Sequence, residues 1–172
     1  MFEDILKEIP YQKITVPSKT QLLGAGEKAK DIYYVHSGCV RLSYNSNGKD
    51  ITCQFFFEGS YVISIESFIN SSPSEYAIES VLPSVLYVIK GEDIKKWLQD
   101  NPQQMDCVLE IAFERMIHYS KLFLSRIKES PQERYNSLVK EHPEIVKRIP
   151  QHYIATYLGI SPVSLSRIRS RK

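Results

Sequence analysis

Residues 149–172, IPQHYIATYLGISPVSLSRIRSRK, constrain this chain more than any other stretch. Ile154 and Leu158 are four apart and share one face of a short helix, and Leu165 and Ile168, three apart, share a face of a second. Gly159 stands between the two groups, where a tight turn needs a left-handed backbone that glycine adopts cheaply. Ser161 is placed to cap the second helix, and Pro162 fits its first turn, where no backbone donor is needed. Ala155 is small where the helices would cross closely. The spacing predicts a helix-turn-helix. The alternative is an amphipathic helical hairpin with a solvated basic tail.

The polar residues of the second helix suit a nucleic-acid surface. Val163, Ser164 and Arg167 fall on one side near its start, and Ser166, Arg169, Arg171 and Lys172 follow. Arginine bonds a guanine edge with two donors, hydroxyls meet base or phosphate, and valine touches a thymine methyl. Arg167 is the candidate base reader, and Arg171 and Lys172 are candidate phosphate contacts. Charge is distributed accordingly. Residues 128–172 carry nine Lys/Arg against four Asp/Glu, whereas the preceding 127 carry thirteen against sixteen. A basic tail on an acidic body confines a polyanion to one end, and so modest an excess favours two copies of the tail acting together.

At 172 residues, 42% hydrophobic and 24% charged, the chain is long and apolar enough to bury a core. No apolar run approaches the roughly 20 residues needed to span a bilayer. MFEDILKEIP carries acidic residues and no signal-peptide core, so a cytoplasmic protein with no membrane partner is expected. Cys39, Cys53 and Cys107 are odd in number and far apart, without the C-x-x-C or Cys/His spacing of zinc or iron–sulfur sites. They are expected to be reduced, buried fillers, with a redox-sensing thiol as the other reading.

Residues 1–9 read as a short amphipathic helix with Phe2, Ile5, Leu6 and Ile9 on one face, stopped by Pro10. From there to Ile89 the texture is short, aromatic and β-branched. Strands are expected at 12–16, 20–23, 31–36, 39–45, 51–57, 61–63, 76–81 and 84–89, with Asn47-Gly48 as a hairpin turn. Many short strands imply a sandwich or jelly-roll barrel. After Gly91 the pattern turns helical, with a short helix at 91–99 and a long one from Pro102 to Lys128. On the long helix Met105, Ala112, Met116, Tyr119 and Phe123 trace one apolar stripe, and Val108, Ile111, Phe113 and Leu122 lie elsewhere around the cylinder. A second apolar stripe calls for a second partner, which points to the same helix of another subunit; burial within a monomer is the alternative. Ser130-Pro131-Gln132-Glu133 reads as a hinge and a new helix cap, and His142-Pro143 and Ile149-Pro150 break the helices that follow.

The order barrel, long helix, hinge and helix-turn-helix resembles the Crp/Fnr family of bacterial transcription regulators over essentially the whole chain. The residues that carry the resemblance are Tyr34-Val35-His36-Ser37-Gly38-Cys39-Val40-Arg41-Leu42, Phe57-Glu58-Gly59, and the tail from Ile154-Ala155 through Arg167-Ile168. Glu133-Arg134-Tyr135, Tyr157-Leu158-Gly159-Ile160 and Leu165-Ser166-Arg167-Ile168 are most similar to the short Bacteroidetes-type members. The resemblance implies an α+β fold with an N-terminal cyclic-nucleotide-binding-like jelly roll over 1–101, a dimerisation helix over 102–128, and a small all-α helix-turn-helix domain over 129–172. It also implies a homodimer on double-stranded DNA, with RNA polymerase as a further partner, and sets Ser161, Val163, Ser164 and Arg167 in or near the major groove.

Two departures from the family pattern alter these expectations. Members that bind cyclic AMP carry Gly-Glu at the start of the ligand cassette, for the ribose hydroxyl, and Arg-Ser-Ala or Arg-Thr-Ala later, for the phosphate. Here Gly59 is followed by Ser60, and the later triplet is Glu75-Tyr76-Ala77. A carboxylate where a phosphate must be neutralised is repulsive, so cyclic AMP is not expected to bind in the family's manner. The sequence also ends soon after the second helix, leaving no room for a β-hairpin wing. Phosphate contacts then fall to Arg169, Arg171, Lys172 and the first helix around Gln151 and His152.

The cassette still offers Gly59, Ser60, Tyr61, Ser64, Glu66, Ser74, Glu75 and Tyr76 as an effector pocket, for a cation or a small polar metabolite; an empty, structural barrel is the other reading. No cofactor or metal is called for. A cupin-like enzyme would need clustered histidines, but the barrel holds His36 alone, and His118, His142 and His152 fall among the helices. No G-x-S-x-G, P-loop or H-E-x-x-H is present. The chain is expected to be a non-enzymatic regulator, with a signalling or adaptor dimer that has lost DNA binding as the rival.

Overall fold

The computed structural model describes residues 6–170. Among them eight strands form two four-stranded antiparallel sheets. The strands are β1 Gln12–Val16, β2 Gln21–Leu23, β3 Asp31–Ser37, β4 Val40–Ser46, β5 Lys49–Phe56, β6 Tyr61–Val62, β7 Tyr76–Ser80 and β8 Ser84–Lys90. One sheet runs β1-β8-β3-β6 and the other β2-β7-β4-β5. This is the jelly roll expected from the turn spacing. The core holds Val35, Val40, Leu42, Phe56, Val62, Ile78 and Leu86, all buried.

The period-2 alternation of strands explains what lies on the other faces. On β3, Tyr33 and Val35 point into the core, whereas Tyr34 and His36 stand on the opposite face. There Tyr34 packs on Tyr61 (5.0 Å between centroids) and on Tyr87 (5.9 Å), and His36 stacks on Tyr87 (4.9 Å). On β4, Arg41 lies between the inward Val40 and Leu42, yet is only 3% exposed. Its guanidinium meets both Asp50 oxygens (3.0 and 2.6 Å), Thr52 Oγ1 (3.1 Å) and Glu79 (3.4 Å), so that two carboxylates neutralise a buried cation. The β4–β5 hairpin closes with Asn47 at φ 51° and Gly48 at φ 83°, the paired left-handed residues of a two-residue turn.

The helices are α1 Ile65–Asn70, α2 Gly91–Asp100, α3 Met105–Lys128, α4 Pro131–Glu141, α5 Pro143–Arg148, α6 Gln151–Leu158 and α7 Pro162–Ser170, with a 3₁₀ turn at Pro102–Gln104 before α3. The sequence reading left α1 as part of an irregular ligand segment. Its apolar residues Ile65, Phe68 and Ile69 follow a helical spacing that six residues are too few to make legible. Of the helix expected over 1–9, residues 6–8 are helical, while Phe2 and Ile5 lie outside the described residues. The anticipated cap before α4 is a full capping box: Glu133 N–H donates to Ser130 Oγ at 3.4 Å and Ser130 N–H donates to Glu133 Oε2 at 2.8 Å. The chain divides into two compact units, 1–97 and 98–172, so that α3 groups with the C-terminal helices. Among the described residues no helix is long and apolar enough to cross a membrane.

Candidate nucleic-acid interface

Helices α6 and α7 meet through Ile154, Ala155, Leu158, Leu165 and Ile168, all buried; Ala155 and Leu165 are fully so. Gly159 takes φ 69° at the turn. Four carbonyls at the end of a helix lack intrahelical partners, and in α6 all four are accounted for. Ile160 N–H donates to Ala155 O and Gly159 N–H to Thr156 O, both at 3.0 Å, the two bonds of a Schellman motif. Tyr157 O accepts from Arg126 Nη2 at 2.8 Å, and Leu158 O from Arg134 Nε at 3.1 Å. Arg134 also donates from Nη1 to Glu129 O at 2.6 Å. Two cations at the negative end of a helix stabilise it by roughly 0.3–1 kcal/mol each. Burial pushes the Tyr157 phenol up to about 12, with the Arg126 charge partly opposing. Neither arginine was singled out from sequence, because the partners are backbone carbonyls 31 and 24 residues away.

Helix α7 is capped as anticipated: Ser161 Oγ accepts from Ser164 N–H at 3.1 Å and lies 2.9 Å from Ser164 Oγ. Those two hydroxyls therefore serve each other. Val163 (60% exposed), Ser166, Arg167 and Arg169 stand in the open, as do Gln151 and His152 at the start of α6. Val163, Ser166 and Arg167 share a face with Ser170, which the sequence reading had not included. Arg171 and Lys172 lie outside the described residues.

On α3 none of the described residues is buried. Met105, Ala112, Met116, Tyr119 and Phe123 are all exposed, as are Leu109, Phe113 and Ile127. Leu109, Met116 and Phe123 repeat every seven residues, and so do Phe113, Ser120 and Ile127. This is a period-3.5 seam that is apolar at every position but Ser120. The half-buried Val108, Ile111, His118 and Leu122 occupy the other side of the cylinder. Phe113, grouped with them in the sequence reading, is 55% exposed and belongs with the outward seam.

In the barrel cassette, Gly59 takes φ 85° and its N–H donates to Val35 O, while Ser60 O accepts from Val35 N–H, both at 2.9 Å. Ser64 and Ser74 are buried and their hydroxyls lie 2.8 Å apart; Ser74 Oγ also donates to Tyr76 O at 2.8 Å. Tyr61 packs its ring on Tyr34. Burial, with Cys53 and then Glu75 and Glu66 as lesser causes, raises the Tyr76 phenol above its ordinary value. Glu66 and Glu75 are exposed. The structure thus ties the Ser64 and Ser74 hydroxyls into the fold. No group of three or more His, Cys, Asp or Glu among the described residues could hold a metal ion. Cys39 is fully buried, whereas Cys53 and Cys107 are half-buried.

Comparison with known proteins agrees with this architecture. The regulator FixK2 of Bradyrhizobium japonicum superposes with a TM-score of 0.79 at 19% identity, over 95% of this chain and 84% of that one. A putative transcriptional regulator of the Crp/Fnr family from Eubacterium rectale gives 0.78 at 19%, over 98% and 81%. The c-di-GMP responsive global regulator CLP of Xanthomonas campestris gives 0.75 at 17%, over 99% and 89%. No curated protein matches the sequence itself. The family model described as the cyclic nucleotide-binding domain matches residues 13–101. That match spans just over half of the sequence, and the chain belongs to the cyclic nucleotide-binding domain family.

Proposed function

We propose that this protein is a dimeric, sequence-specific DNA-binding transcription regulator whose barrel does not bind cyclic AMP in the family's manner. The observation that carries the reading is the open face of α7. Val163, Ser166, Arg167 and Arg169 project from a helix whose inner side is fixed by Leu165 and Ile168. Apolar, hydroxyl and guanidinium groups in one row are what a major groove accepts. Two chains pair along the Leu109–Ile127 seam of α3 and present two such helices about one DNA turn apart, roughly 34 Å. In the cassette, Ser60 and the exposed Glu75 stand where the ribose and phosphate ligands of cyclic-AMP-binding members would be, and Glu75 repels an anion.

The test is selection of binding sites from random duplexes, followed by Arg167→Ala on the selected site. An inverted repeat with one-turn spacing is expected, and Arg167→Ala should lose roughly 1–3 kcal/mol and relax preference at one base pair. Failure to enrich any motif, with or without cell metabolites, would favour an adaptor dimer instead. Calorimetry with cyclic AMP at micromolar concentration should show no heat, and measurable binding would overturn that part. Cyclic di-GMP, to which the Xanthomonas regulator responds, is the second ligand for the same measurement.

A further inference from the structure

His118 sits midway along α3 and faces the C-terminal helices across a groove of about 680 Å³, bounded by α3, α4 and the end of α6. Its ring meets His142, just past the end of α4, edge to face with centroids 6.2 Å apart. His118 Nε2 is buried and has no hydrogen-bond partner among the described residues. A buried, unpartnered ring nitrogen is poorly placed to carry a second proton, because water cannot solvate the resulting charge.

The charges around the pair bear on the same point. On α3 itself, Arg115 and Lys121 lie three residues to either side and oppose a charge on His118, and Glu114 lies a turn before. From α4, Glu141 lines the same groove, and Arg134 is committed to Leu158 O and Glu129 O. From α5, Glu144 Oε1 lies 3.3 Å from His142 Nδ1. The two imidazoles are therefore not equivalent: His142 has a carboxylate beside it, and His118 has cations.

We propose that the His118–His142 contact is a proton-operated latch between the long helix and the C-terminal helices, closed while the buried His118 imidazole is neutral and released as it charges. Burial first, then His142, Arg115 and Lys121, hold His118 below the ordinary histidine value of 6.5. A group depressed in the packed state favours packing at pH above its ordinary value, and that contribution is lost as pH falls through the lowered one. Acidification thus loosens α3 from the bundle that carries α7. The consequence for DNA rests on the function proposed above; the latch itself does not.

The test follows imidazole and backbone amide resonances of the full chain from about pH 8 to about pH 5, the range in which histidine charge changes, with a chelator present to exclude metal. Amides of 117–126 and 134–142 should shift together with His118, at a midpoint below the ordinary histidine value of 6.5. His118→Gln should abolish the shared step and leave His152 unchanged. His142→Gln should move the His118 midpoint upward. Static amides while His118 titrates, a step that persists in His118→Gln, or a His118 midpoint at or above 6.5 would each overturn the latch. Affinity for the selected duplex, measured across the same range in chains that also carry His152→Gln so that this candidate contact does not contribute, should fall with the step and stay level once His118→Gln is added. Absence of DNA binding at every pH would count against the proposed function, while the resonances would still decide the latch.

Discussion

Phe123→Ala offers the sharpest test of the seam on α3. Phe123 is 65% exposed in the single chain. An aromatic side chain buries about 150–250 Å² in full, so about 130 Å² remains to be covered by a partner. At about 25 cal/mol per Å² that area is worth about 3 kcal/mol. Alanine keeps part of it, leaving a loss of about 2 kcal/mol per chain, and two-fold symmetry counts the loss twice. About 4 kcal/mol corresponds to a dimer dissociation constant raised about a thousandfold. Sedimentation equilibrium over a wide concentration range measures this directly, with helical circular dichroism as a check that the chain stays folded. Lys121→Ala, exposed on the same helix but away from the seam, is the control. A dissociation constant for Phe123→Ala within threefold of the parent would refute the reasoning. An equal loss in Lys121→Ala would do so too, by showing that any change to α3 weakens association.

Three further outcomes are expected. Gly159→Ala forces a Cβ into a φ of 69° and to 3.4 Å from Arg126 Nη1, so it should cost about 1–2 kcal/mol in thermal unfolding. Leu165→Ala, at a fully buried position, should cost about 2–5 kcal/mol in urea unfolding, and a loss below about 1 kcal/mol would mean that α7 is not packed as described. The Glu133 carboxyl is held below its ordinary value of 4.5 by its bonds to Ser130. Its contribution to α4 is therefore present above that value and lost as pH falls through the lowered one. Ser130→Ala removes the hydroxyl but keeps the backbone N–H that is the larger cause. The Glu133 carboxyl resonance should therefore move only part of the way back toward an ordinary midpoint, and a full return would refute the backbone bond as the main cause.

The strands were legible because β-branched and aromatic runs between turn residues leave little else for residues 12–90 to do. The cap, turn and core of the helix-turn-helix were legible for a related reason: Ser161, Pro162, Gly159 and Leu165 each act within a few residues of their own position. What stayed hidden acts at long range. Arg41 reads as an ordinary polar residue in a strand until β5 and β7 bring Asp50 and Glu79 to it. Arg126 and Arg134 look like solvated charges until α6 ends against them. The α3 seam was half visible. Met116 and Phe123 were on the traced stripe, but Phe113 was set apart from it with Val108, Ile111 and Leu122, because two apolar stripes on one helix overlap in any short window. The cassette serines suggested a ligand by their chemistry, whereas the fold engages Ser64 and Ser74 with each other.

Arg126 lies between Phe123 and Ile127, so the bond to Tyr157 O springs from the same turn of α3 that carries the end of the seam. Side chains stand about 5–6 Å from a helix axis, and a rotation of α3 by about 20° therefore carries the guanidinium about 2 Å sideways. A hydrogen bond of 2.8 Å does not survive that displacement. A small roll of α3 is thereby geared directly to the last carbonyls of α6. Sliding along the seam by a whole heptad would leave the gear in phase. The helix-turn-helix is in this sense referenced to the angle of α3, and an input need only turn that helix to be felt at α7.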